Sequence, residues 1–74
     1  MRLEHLAKVV ADTRGLAHTL YLNDLRGYIK DTSETQLLEE IEKFTEIRYL
    51  KALWEAGLSA NLQQAVLEQI KEIS

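Results

Sequence analysis

Cysteine and proline are absent from the 74 residues, and glycine occurs only three times. Without cysteine there is no disulfide framework and no thiolate-held zinc or iron–sulfur site, so a disulfide-stapled secreted mini-protein is excluded. The only two histidines, His5 and His18, fall ~140° apart around a continuous helix and cannot chelate one ion from it. No apolar run approaches the ~18–20 residues of a membrane span, and no signal-peptide core opens the chain. A basic excess is missing as well: nine Lys and Arg stand against twelve Asp and Glu, a net charge of −3. These absences predict a chain with no metal, no cofactor and no membrane segment, working in the cytoplasm.

What is present is leucine, glutamate and alanine, all strong helix formers, in a chain that is 46% hydrophobic and 28% charged. That balance lies in the globular range and predicts one all-α domain over residues 1–74. A single core in a chain this short supplies only a few kcal/mol, and disulfides and metals are not there to help. Self-association or docking on a larger protein is the remaining route to stability.

Punctuation divides the chain into three. Ser33-Glu34-Thr35-Gln36 carries a capping-box pattern, with Ser33 placed to accept from the Gln36 amide. Glu55-Ala56-Gly57-Leu58-Ser59 reads as a helix end at Gly57 followed by a Ser59 cap. The expectation is a three-helix bundle: a long N-terminal helix over 2–31, a capped middle helix over 34–56 and a short C-terminal helix over 60–73.

Phase supports continuity in the first segment. At 100° per residue Leu3, Leu6, Ala7, Val10, Ala17, Tyr21, Leu25 and Tyr28 share one ~60° direction straight through Gly15. A break near Asp12-Thr13-Arg14-Gly15 is the alternative. In the second segment Leu37, Leu38, Ile41 and Phe44 lie on one face and Ile47, Leu50, Leu53 and Trp54 on nearly the opposite one, so the apolar stripe changes sides near Thr45. Such a helix meets different neighbours at its two ends or is interrupted between them.

Val9, Leu16 and Leu20 are left over as a second apolar line, rotated ~100–120° from the main stripe. Either the stripe is broad and all of it is core, or the line is a seam for a second chain. Tyr21, Tyr28 and Trp54 are candidate anchors beside it, because aromatics with a polar end are over-used at interfaces. Packing within the bundle is their other use.

Catalytic chemistry finds little to work with. Glu39, Glu40, Glu42 and Glu46 form an acidic run that reads as a solvated helix face, and no phosphate loop or nucleophile motif occurs. The helix–Gly–helix unit from Ile47 to Ile70 has the spacing of a DNA-binding helix-turn-helix. Its second helix has no base before Lys71, and residues 31–74 carry a net −5, which opposes phosphate binding. The favoured reading is a non-enzymatic interaction or regulatory protein, acting as a homodimer or on a larger partner, with Val9, Leu16, Leu20, Tyr21, Tyr28 and Trp54 as its interface. A nucleic-acid-binding helix-turn-helix is the runner-up, and an accessory subunit of an enzyme the third possibility.

Overall fold

The computed structural model describes residues 2–74, and among them every regular element is a helix: α1 (Arg2–Asp12), α2 (Gly15–Asp31), α3 (Glu34–Glu42), α4 (Ile47–Ala56) and α5 (Ala60–Ile73). The all-α class holds. The three-helix count does not, because both of the longer expected helices are divided.

The first division is a tight corner at Thr13-Arg14-Gly15. Gly15 takes φ +66°, a left-handed conformation that costs a side-chain-bearing residue about 1–2 kcal/mol. The carbonyls left open at the end of α1 are then satisfied locally. The Thr13 hydroxyl donates to the Val9 carbonyl at 2.9 Å, and the His18 Nδ1–H reaches the Val10 and Thr13 carbonyls at 3.0 and 3.1 Å. The chain therefore doubles back, and α1 and α2 form a helical hairpin. His18 lies beside Val10 at the corner, and Arg2 and Leu6 face Gly27 and Tyr28 towards the other end.

Continuity of phase was a misleading guide because a corner lets the second helix choose its own rotation. On α2 the inward residues are Leu22 and Leu25, both buried, with His18 and Ile29 half-buried beside them. That face is rotated by about 70° from the stripe extrapolated out of α1. Of the four α2 residues on the extrapolated stripe only Leu25 is buried; Ala17 and Tyr21 are exposed and Tyr28 is half-buried.

The second division, at Lys43–Glu46, falls where the apolar stripe changes sides. The Phe44 amide closes a last turn on the Ile41 carbonyl, and the Phe44 ring is buried. Its own carbonyl accepts from the Gln69 side chain at 2.8 Å, which ties the connection to α5. Each half then turns its own apolar side inward: Leu37 and Ile41 from α3, Leu50 and Leu53 from α4.

At the boundary between α4 and α5 Gly57 has φ +97° and its N–H donates to the Trp54 carbonyl. The Ala56 carbonyl accepts from Arg26 Nε at 3.0 Å, so a side chain of α2 closes the end of α4. Ser33 and Ser59 accept from the Gln36 and Leu62 amides, capping α3 and α5. Leu62 and Val66 carry α5 onto α3 and α4, completing a core built from all five helices.

Candidate interaction surface

The first two turns of α2 are inside out. Their protein-facing side carries His18, a polar residue, while Leu16, Ala17, Leu20 and Tyr21 are exposed. Leu16 keeps 77% of its surface in solvent, Leu20 58% and Tyr21 40%. The spacing i, i+1, i+4, i+5 is the ordinary signature of a packed helical face, here with nothing packed on it. Burying a leucine contributes about 1.5–3 kcal/mol, so two adjacent uncovered leucines are a large unused driving force for a chain this small.

His18 explains how the inverted turn is held. Both ring nitrogens are engaged: Nδ1–H with the Val10 and Thr13 carbonyls, Nε2 with Glu55 Oε1 at 2.9 Å. All three partners are acceptors, so the ring satisfies them together only as imidazolium. Its pKa is accordingly raised above the ordinary histidine value, chiefly by the hydrogen bond to Glu55, with partial burial opposing and the carbonyl bonds adding to the rise. A ring so occupied is a latch between α1, α2 and α4. Arg48 Nη1 and Asp12 Oδ1, 3.3 Å apart, join α4 to α1 nearby.

The remaining expected interface residues are scattered. Val9, on α1, is half-buried; because α2 doubles back, it does not continue a line through Leu16 and Leu20. Tyr28 is half-buried against the core and its hydroxyl donates to Glu40 Oε2 at 3.0 Å. Burial, and then this carboxylate, raise the Tyr28 pKa, so the phenol stays protonated. Trp54 on α4 is 42% exposed. Leu67 on α5, 45% exposed, was not singled out in the sequence.

Compared with protein-family models, curated proteins and solved structures, the chain matches none of them.

Glu40 departs from the solvated acidic face expected of residues 39–46. It is buried, with one oxygen accepting from the Leu3 amide at 3.3 Å and the other from Tyr28. The Leu3 N–H is one of the open donors at the start of α1, so a carboxylate from α3 caps a distant helix at its positive end. A sequence signal for this existed: Glu40 falls beside Leu37 and Ile41 on the apolar side of α3, whereas Glu39 and Glu42 lie away from it.

Two concavities complete the surface. An open trough of about 490 Å³ lies between α1 and α2, with Arg2, Asp24, Tyr28 and Asp31 on its walls. A smaller one of about 200 Å³ lies over the corner, lined by His18, Arg48, Lys51 and Glu55. Among the described residues no group of three His, Asp or Glu side chains gathers as a metal-ligand set, and no helix is long and apolar enough to cross a membrane.

Proposed function

We propose that this chain is a non-enzymatic helical interaction module that binds another polypeptide through the outward face of the first two turns of α2. The observation that carries the reading is the inverted polarity of those turns: His18 inward, Leu16, Leu20 and Tyr21 outward. A helix that buries a histidine edge and leaves two leucines in water gains from a partner that covers them. The partner's contacting surface is apolar and helical in scale, since two turns present a ridge rather than a pocket.

The groups with catalytic potential support the same reading, because they are already spent on structure. His18 has no free nitrogen and Glu40 holds the Leu3 amide and the Tyr28 hydroxyl. The outward side of α5, the would-be recognition helix, offers Lys71 against Glu68 and Glu72, a poor match for a phosphate backbone.

The test is a photo-crosslinking amino acid placed at position 16 or 20, with position 39 on the exposed polar side of α3 as control. Discrete protein adducts at 16 and 20 and none at 39 are expected in cells making the protein. Equal adducts at all three positions, or none at any, would overturn the module. Salt-sensitive retention of duplex DNA by the purified chain would move the assignment to the helix-turn-helix.

A further inference from the structure

We infer that the occupant of this surface is a second copy of the same chain, paired antiparallel along α2 with Leu16 of each copy against Leu20 of the other. The inference rests on the interaction-module reading and adds to it the partner and the register.

The first argument is self-complementarity. A two-fold interface requires that if one residue meets a second, the second meets the first. Leu16 and Leu20 are four residues apart on one ridge of α2, so opposing the two ridges with the axis level with residue 18 makes a four-leucine cluster with Tyr21 at its edges.

The second argument is charge. In this register residues whose numbers add to 36 lie level, which places Asp24 of the second copy level with position 12. Because α2 begins at Gly15, that carboxylate falls about 4.5 Å beyond the first residue of the helix, at 1.5 Å per residue. The helix start there lacks any side-chain cap, and its N-cap residue is Arg14. Arg14 and Asp24 are both exposed, and neither forms an ion pair among the described residues. Pairing therefore brings a free carboxylate to an uncapped helix N-terminus and a free guanidinium, twice over by symmetry.

Two helical turns per copy cover far less than the ~800 Å² per partner of a standard stable interface, which puts the dimer among weak, transient associations. Sedimentation equilibrium of the full chain from about 5 µM to 1 mM, the range of weak association, tests it. The wild type is expected to rise from near 8.5 kDa towards twice that mass. Leu16→Glu with Leu20→Glu is expected to stay monomeric with unchanged helicity; if the paired variant fails to fold, Leu16→Ser, a milder change lost twice by symmetry, should weaken association by roughly a hundredfold or more. Arg14→Glu and Asp24→Arg should each weaken pairing several-fold, and the two together should pair more tightly than either alone.

A wild type that stays at 8.5 kDa to 1 mM overturns the self-pairing. The broader module survives that result only if the crosslinker at 16 or 20 still captures another protein. A dimer indifferent to both leucines also overturns it. Loss of the dimer with the leucines but no recovery in the charge swap overturns the antiparallel register.

Discussion

Replacing Glu40 with alanine is expected to remove a large part of the stability of this fold. The carboxylate is 9% exposed and accepts two hydrogen bonds, from the Leu3 amide and the Tyr28 hydroxyl. Hydrogen bonds to charged groups contribute about 1.5–3 kcal/mol each, and truncation leaves both donors without their acceptor. Leu3 is itself only 1% exposed, so its amide is left buried without an acceptor. The expected loss is about 3–6 kcal/mol, against a total of about 4–11 kcal/mol for 74 residues at ordinary stability per residue. Glu40→Gln keeps an oxygen for Leu3 and an amide that the Tyr28 oxygen can accept, so it should cost only about 1 kcal/mol.

Urea unfolding followed by helical circular dichroism and by Trp54 fluorescence measures all three proteins on one scale. Tyr28→Phe completes a double-mutant cycle with Glu40→Ala, and the coupling should reach about 1–2 kcal/mol. Glu40→Ala within 0.5 kcal/mol of wild type, or a coupling near zero, would refute the claim that this carboxylate joins α1, α2 and α3.

His18 should titrate above the ordinary histidine value in the folded chain, and Glu55→Gln should bring it down; histidine ring proton shifts against pH check this. Because the folded pKa is raised, the latch contributes fully below the unfolded value of 6.5 and is lost as pH rises through the folded value, so Glu55→Gln should flatten the stability profile across that window. Gly57→Ala should cost about 1–2 kcal/mol and lower the melting midpoint by roughly 4–16 °C, since φ +97° strains any side-chain-bearing residue. Leu25→Ala, at a fully buried position, should cost about 2–5 kcal/mol in thermal or urea unfolding, whereas Leu16→Ala should stay within about 0.5 kcal/mol in dilute monomer.

Local chemistry in the sequence located two of the four helix boundaries, those at Ser33 and at Gly57–Ser59. Ser33, Gly57 and Ser59 act where hydroxyl caps and positive-φ glycine act in any chain, and the change of apolar side near Thr45 marked the α3–α4 break as one of two outcomes. The corner at Gly15 was harder to read, because its evidence is tertiary. Neither the His18 bonds to Val10 and Thr13 nor the rotation of α2 towards Leu22 exists until α2 has folded back. Glu40 failed for a related reason: a run of acids reads as solvated until one member is seen to lie under the start of another helix. The exposed leucines were legible as a leftover apolar line, but their separation from Val9 required the hairpin.

The corner and the exposed face are one structural decision. Were α1 and α2 a single helix, Ala17 and Tyr21 would fall on the same side as Leu3, Leu6 and Val10, while Leu22 would be turned about 100° away from Leu3. The positive φ of Gly15 releases α2 from that phase, and the His18 contacts to α1 and to Glu55 hold its new rotation. That rotation buries Leu22 and Leu25 and, on the opposite side of the same two turns, delivers Leu16 and Leu20 to solvent. The core gains two leucines by presenting two others. The exposed apolar face is therefore produced by the packing of α2, and if the proposed pairing uses it, changes at Gly15 or His18 should alter association as surely as changes at the leucines themselves.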